Sequence, residues 1–191
     1  RYQNAEKRFA HLHKFDIQSC FDSIYTHSIS WAVCGGKDEY KKQYKGNNIS
    51  FGDEWDNIMQ RMNYNETNGI VIGPEFSRIF AEAILQYVDN RVAKTLQGVG
   101  YKWKEQYEYY RYVDDIFFYY NDSHVLEVAI RAFEDLLHEY KLSISKEKSD
   151  DLERPFITSI SMAKIKIDAL LSDSIKMHRP KGIAQPEAET D

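Results

Sequence analysis

Gln106-Tyr107-Glu108-Tyr109-Tyr110-Arg111-Tyr112-Val113, then Asp114-Asp115, then Ile116-Phe117-Phe118-Tyr119-Tyr120: two aromatic and β-branched runs flank a pair of acids. Two β-rich runs around a two-residue gap predict a hairpin. Tight hairpin turns favour Asn-Gly, Asp-Gly or Gly-Gly, because the backbone there often needs positive φ. Two like charges between bulky strands are a poor choice for folding alone. Local rules fail most often where function overrides them. A divalent cation would relieve the repulsion, since hard cations such as Mg²⁺ take carboxylate oxygens. A solvated acidic turn explains an isolated Asp-Asp pair as well, so a second feature is needed.

That feature is Asp16. The apolar, β-prone run from Phe9 to Gln18 ends in Phe15-Asp16-Ile17 and predicts a strand. A lone carboxylate there is costly unless it is paired or metal-bound; a helix N-cap or a salt-bridge partner are the ordinary readings. If the strand lies beside the hairpin, three carboxylates converge at one sheet edge. Such a set can hold two metals about 4 Å apart, the arrangement used for in-line displacement at phosphorus.

Between these two places the chain alternates strands and helices. Ser19 to Ile24 reads as a turn into a short helix with Ser19 or Asp22 as N-cap. Gly35 to Gly52, with Gly35-Gly36, Gly46-Asn47-Asn48 and Lys37, Lys41, Lys42 and Lys45, reads as a surface loop with one short helix. Its lysines suit either nucleic-acid contact or plain solvation. Gly73-Pro74 opens a long amphipathic helix with proline at the first helical position. Phe76, Ile79, Phe80, Ala83, Ile84, Tyr87, Val88 and Val92 form its apolar side, and it ends near Gly98. A second helix is expected from about Ser123 to Tyr140, then a short strand at Leu142-Ser143-Ile144-Ser145. The order predicts an α+β domain, a mainly antiparallel sheet with helices on one face. The end, from about Pro180, reads as a loose tail.

Composition sets the limits. The chain has 191 residues, 42% hydrophobic and 29% charged, enough for one real core and too apolar for wholesale disorder. Tyrosine is in excess, with 14 Tyr against 10 Phe and 3 Trp, which suits half-buried surfaces. Cys20 and Cys34 cannot make a disulfide framework and no Cys/His spacing resembles a zinc site, which points to a reducing compartment. Apolar runs of about five residues are far short of the ~20 that a membrane span needs. A net charge of −5 argues against a free-standing basic nucleic-acid-binding module. Beginning on Arg1, the sequence is expected to be an excerpt or a processed chain, and its N-terminus says nothing about targeting.

Four motifs carry a family resemblance. Tyr112-Val113-Asp114-Asp115 resembles the catalytic hairpin of reverse transcriptases, and Phe15-Asp16-Ile17 with Phe21 and Ser23-Ile24 resembles their first aspartate motif. Gly69-Ile70-Val71-Ile72-Gly73-Pro74 with Ser77 and Ala81-Glu82 is similar to their Gly-rich loop and following helix. Leu142-Ser143-Ile144-Ser145-Lys146-Glu147-Lys148 resembles the lysine motif after the second palm helix. The four stand in the family's order and span roughly residues 9 to 165. Tyr25-Thr26-His27-Ser28-Ile29 with Trp31, and Gly73-Pro74-Glu75-Phe76-Ser77-Arg78, are closest to bacterial abortive-infection and phage-defence members.

The resemblance implies a polymerase palm with partial fingers over residues 1–179, a loop insertion at about 35–68, no evident thumb, and a flexible tail at 180–191. It implies that Asp16 and Asp114 bridge two Mg²⁺ ions (Mn²⁺ as a substitute), with Asp115 as a weaker or indirect ligand and the Ile17 carbonyl completing one shell. Phe21 matches the bulky side chain that excludes a ribose 2′-hydroxyl; an ordinary core Phe is the alternative. Gly73 and Pro74 would let the backbone approach the templating base and nascent pair, or simply start a helix. Lys148 matches the general acid for departing pyrophosphate, with a solvated loop lysine as the alternative and Lys146 as the less favoured choice. Two departures stand out: Ile72 replaces the Gln of many members, and only Arg1, Lys7, Arg8 and Lys14 stand where the basic fingers residues would be.

The implied partners are dNTPs and an RNA template and primer, a dedicated non-coding RNA in some defence-type relatives, with a second copy or another protein as a further partner and no membrane. The implied location is the bacterial cytoplasm. Template-independent DNA synthesis and a degenerate palm acting as a scaffold in an oligomeric defence complex remain as alternatives. A nucleotide cyclase lacks the four-motif order, and a receiver domain places its Asp pair first in the chain.

Overall fold

The structure is a computed structural model that describes residues 2–44, 49–145, 147–156, 166–168 and 170. The elements in chain order are α1 (Tyr2–Arg8), β1 (His11–Asp16), α2 (Cys20–Ser23), α3 (Ser28–Val33), α4 (Lys37–Gln43) and α5 (Phe51–Met62). Then come α6 (Glu75–Gly98), β2 (Tyr107–Tyr112), β3 (Asp115–Tyr120), α7 (Ser123–Glu139) and β4 (Asp150–Glu153). The chain divides into two compact units, Arg1–Arg154 and Pro155–Asp191; in the second, residues 166–168 and 170 are helical. Lys45, Gly46-Asn47-Asn48, Lys146 and the tail expected at 180–191 lie outside the described residues.

The expected α+β architecture is present. The four strands lie in the order β2-β3-β1-β4, and every neighbouring pair is antiparallel. β1 pairs with β3 from His11↔Tyr120 to Asp16↔Asp115, so the two halves of the acidic constellation come from adjacent strands. Side chains alternate between sheet faces with a period of two. On one face Tyr109 and Phe15 each meet Phe133 of α7 edge-on, at 5.4 Å between ring centroids, and the Tyr109 hydroxyl donates to the Asp89 carbonyl of α6. Phe118 and Tyr107 stack at 5.7 Å on that same face, joining the core beneath α6 and α7. On the opposite face α1 is tied on by Arg8, which pairs with the buried Glu108 at 3.3 Å.

Several elements differ from the sequence reading, each for a physical reason. The stretch from Gly35 to Gly52, read as a surface loop with one short helix, holds that helix as α4, and the unforeseen α5 begins at its end. α5 starts in a reciprocal cap, with the Ser50 hydroxyl accepting from the Asp53 N–H and the Asp53 carboxylate accepting from the Ser50 N–H. The glycines and lysines nearby conceal that signal. The first strand is shorter, His11–Asp16 within the expected Phe9 to Gln18, and α1 ends one residue before that expected start. Ser19 precedes α2 in a left-handed conformation (φ 44°) and its side chain caps nothing. Pro74 is the N-cap of α6, one position before the expected first turn. The buried stripe of α6 runs through Ser77, Ala81, Leu85, Val88, Val92 and Leu96, while Ile79 is exposed. Ser77 and Ala81 are buried because small side chains admit close neighbours, which a count of apolar positions overlooks.

The hairpin turn is also one residue earlier than expected. Tyr112 pairs with Asp115, so the two loop residues are Val113 and Asp114, and Asp115 already lies in β3. Val113 supplies the positive φ (56°) that the turn needs. Leu142 to Ser145 makes only an isolated bridge, Ile17↔Ile144, and the fourth strand is the acidic segment Asp150–Glu153. Its charges read as loop because an edge strand can keep polar side chains on both faces.

Gly52 lets α5 approach α3: a Cβ there would stand 2.5 Å from the Ser30 Cα. Alanine favours a helix over glycine by about 1 kcal/mol, whereas overpacking against backbone costs roughly 1–3 kcal/mol. Gly52→Ala is expected to lower stability by up to about 2 kcal/mol, read as a lower urea midpoint. An unchanged or higher midpoint would show that the two helices are free to separate.

Candidate active site

The end of β1 and the start of β3 place two acids side by side. Asp16 and Asp115 are register partners, and the Ile17 N–H donates to the Asp114 carbonyl at 3.1 Å, so the turn is stitched to β1 directly beyond Asp16. Asp16 is buried at 6% exposure, Asp114 is half-buried and Asp115 is exposed. A cavity of about 520 Å³ opens on this face, lined by Lys14, Asp16, Asp115, Phe117, Lys148 and Asp150 among others.

Lys148 is the counter-charge. Its Nζ donates to Asp16 Oδ2 at 2.9 Å, and that bond holds the ammonium's pKa above its ordinary value. The other oxygen, Asp16 Oδ1, is buried and has no hydrogen-bond partner. Lost hydration pushes the Asp115 carboxyl up, and the Asp114 and Asp16 charges push it further, against the pull of Lys148 and Lys14. An orphaned buried oxygen and an acid raised by its neighbours are what a bound cation would relieve, so the donor set fits a hard divalent ion. As the side chains stand, no three His, Cys, Asp or Glu groups among the described residues are close enough to hold a metal. The three carboxylates are therefore neighbours rather than a closed ligand set, with Lys148 drawing Asp16 to itself.

The other predicted residues lie just after β1, in α2 and at the entry to α6. Ile17 is fully buried, with its N–H on the hairpin. Phe21 is partly buried in α2 against the core, and its carbonyl accepts from the Ile70 N–H at 2.9 Å, which ties α2 to the segment leading to Gly73. Gly73 takes φ 118° with open space around it, so glycine serves the backbone angle there rather than a tight fit. Pro74 follows as the cap of α6. Cys20 is buried at the start of α2, and burial followed by the Asp114 charge pushes its thiol up to about 12, leaving an inert side chain. In the lysine patch, Lys37 lies over the Trp31 ring at 4.7 Å and Lys42 pairs with Glu39 at 2.7 Å.

Arg111, Glu82 and Asp89 were not singled out as site residues, yet they form a buried ionic cluster behind the hairpin. Arg111 pairs with Glu82 of α6 at 2.8 Å and Asp89 of α6 at 2.8 Å, with its own side chain 5% exposed. Burial would lower the guanidinium's pKa; the bonds to Glu82 and the Asp89 charge reverse that and raise it. Asp89 is raised, because its burial outweighs Arg111; for the more open Glu82 burial is the largest single push, but the Arg111 hydrogen bond and charge, with Gln86 and Arg78, together exceed it and lower the carboxyl. A signal was available in the alternation: Arg111 has the parity of Tyr107 and Tyr109, the inward-facing residues of its strand.

An antiparallel sheet with helices on one face and an acidic hairpin beside an aspartate-ended strand defines a polymerase palm. Residues 1–167 match the family of reverse transcriptases (RNA-dependent DNA polymerases), and the chain belongs to it. Among solved structures, the chain is similar to apo telomerase from Candida tropicalis, with a TM-score of 0.55 at 15% identity, covering 80% of this chain and 31% of that one. It is also similar to telomerase from Candida albicans in complex with a TWJ fragment of telomeric RNA, with a TM-score of 0.53 at 12% identity, covering 80% and 29%. The chain thus spans about a third of these neighbours, and the likeness is one of fold. No curated protein matches it. No helix among the described residues is long and apolar enough to cross a membrane.

The raised acid of Asp115 gives a pH test. Its folded-state pKa lies above the ordinary 3.8, so the charged form is disfavoured and stability falls as pH rises through the folded value. Asp115→Asn is expected to raise the melting temperature at pH 7 by up to about 2 °C, with the gain absent below about pH 4, where wild type is also neutral. A gain of equal size at both pH values would mean that like-charge repulsion is not its source.

Proposed function

We propose that this chain is the catalytic palm of a reverse transcriptase that joins a primer 3′-hydroxyl to the α-phosphate of a dNTP on an RNA template. The observation that carries this reading is the Asp16↔Asp115 pairing beside Asp114 in a member of the reverse transcriptase family. Asp16, Asp114 and Asp115, with the Ile17 carbonyl, would hold the metals. Two divalent cations, Mg²⁺ with Mn²⁺ as a substitute, would supply the charge that lowers the hydroxyl's pKa and stabilises the leaving pyrophosphate.

The protein's own groups do the rest. Lys148, kept protonated beside Asp16, is the proton source for the departing pyrophosphate. Phe21 is the ribose gate that favours dNTPs over rNTPs, fixed by the backbone bond between its carbonyl and Ile70. Gly73 and Pro74 let the backbone approach the nascent pair. Its setting is anti-phage defence in the bacterial cytoplasm, with a dedicated non-coding RNA as template and a second copy or another protein as partner.

Labelled dNTP incorporation by the full-length protein, with Mg²⁺ or Mn²⁺ and with or without RNA template and primer, tests the reading. Template-dependent product is expected, and it should fall at least about 10³-fold in an Asp114→Ala, Asp115→Ala double variant, as for other transition-state groups acting as a unit. Product without template would replace this reading with untemplated synthesis, and no product under any condition would favour a scaffold. Phe21→Val is expected to admit rNTPs, raising their kcat/KM relative to dNTPs about tenfold or more, the scale of a lost steric contact. Unchanged discrimination would make Phe21 an ordinary core residue.

A further inference from the structure

One guanidinium joins helix α6 to the tip of the acidic hairpin. Arg111 makes four hydrogen bonds and one further ion-pair contact: Nε donates to Asp89 Oδ2, Nη2 to Glu82 Oε1, and Nη1 to Glu82 Oε2 and to the Val113 carbonyl, both at 2.8 Å, while Nη2 also lies 2.8 Å from Asp89 Oδ2. Glu82 and Asp89 are seven residues apart, two helical turns, so they stand on one face of α6 like the jaws of a clamp. The fork shape of arginine is needed to meet both carboxylates and still reach a carbonyl; a lysine offers one point charge.

The carbonyl it reaches belongs to the strained residue of the turn. Val113 sits at φ 56°, a conformation that strains a β-branched residue and persists only where its surroundings enforce it. The peptide between Val113 and Asp114 is therefore held from α6 through Arg111. The next peptide, between Asp114 and Asp115, is held from β1, because its carbonyl accepts from the Ile17 N–H. With both peptide planes around its Cα fixed, the direction of the Asp114 side chain is fixed as well. As a stability device the cluster is poor, with one buried cation against two half-buried acids, and apolar residues of equal volume would do as well or better.

We propose that Arg111 is the positioning residue of the acidic hairpin: clamped by Glu82 and Asp89, it holds the Val113 carbonyl and so sets Asp114 beside Asp115, the register partner of Asp16 at the cavity. The inference rests on the catalytic reading of that hairpin. Arg111 touches no substrate and acts only through the turn.

The test uses Arg111→Lys in the full-length protein, assayed well below its melting temperature. Expected are a fall in kcat of about tenfold or more, a rise of about threefold or more in half-saturating Mn²⁺, and a dNTP KM within about twofold of wild type, the pattern of a lost transition-state alignment. Amide hydrogen exchange should quicken at Asp114 to Ile116 and at Ile17 but not within α7. Lys102→Ala, which breaks the exposed Lys102–Glu105 pair, serves as the unaltered control. A charge-free variant, Arg111→Met with Glu82→Gln and Asp89→Asn, is expected to fold yet remain slow. An active wild type whose Arg111→Lys form melts lower but keeps its kcat, Mn²⁺ requirement and hairpin exchange overturns this inference alone, as does a fast charge-free variant. A wild type whose synthesis survives Asp114→Ala overturns the catalytic reading, and this inference with it.

Discussion

The antiparallel pairing of β1 with β3 is the constraint on which everything else hangs. Because side chains alternate along a strand, a slip of one residue would move Asp16 to the helix-covered face and Phe15 to the open one. The register is held from both sides. Phe15, Phe118 and Tyr109 sink into the core under α7, and the Ile17 N–H closes on the turn carbonyl of Asp114. An apolar core thereby determines where a charged site stands. The burial of several aromatic rings, each worth a few kcal/mol, outweighs the repulsion of acids placed side by side at the other end of the same ladder.

Much of this was legible from residue order. The α+β class, the long helix ending at Gly98, the second helix starting at Ser123 and the hairpin around the acids all follow from period and punctuation, which depend on neighbours in the chain. The misreadings share a cause. α5 was hidden because its start depends on a reciprocal cap and its packing on a glycine that admits Ser30, neither of which adds apolar residues. β4 was hidden because an outer strand needs only one partner and tolerates charge. The turn was misplaced by one residue because Val113 takes a conformation that its side chain disfavours, against any propensity rule.

The site divides the same way. Asp16, Asp114, Asp115 and Lys148 could be picked out because charges at the end of apolar runs are conspicuous, and the structure brings Lys148 onto Asp16. Arg111 was passed over because arginine in a strand usually reads as a solvent-facing residue. Its partners lie 22 and 29 positions away on a helix, a separation that only the folded chain closes. Asp114 and its neighbours thus lie between two cations of different kinds: an exposed lysine on the cavity side, free to swing, and a buried arginine behind, fixed by four hydrogen bonds.

The sheet's outer border has a consequence for how this molecule meets copies of itself. Among the described residues, the four hydrogen-bonded strands leave β4 with an unpaired side, and such borders invite another chain to add on. Here the border reads Asp150-Asp151-Leu152-Glu153, three negative charges in four residues, two of them set against His13 and His11 of β1. An approaching identical strand would bring three more. Mutual repulsion thus keeps the palm from zipping into fibrils along that side, and the same segment that helps wall the cavity also keeps the protein dispersed.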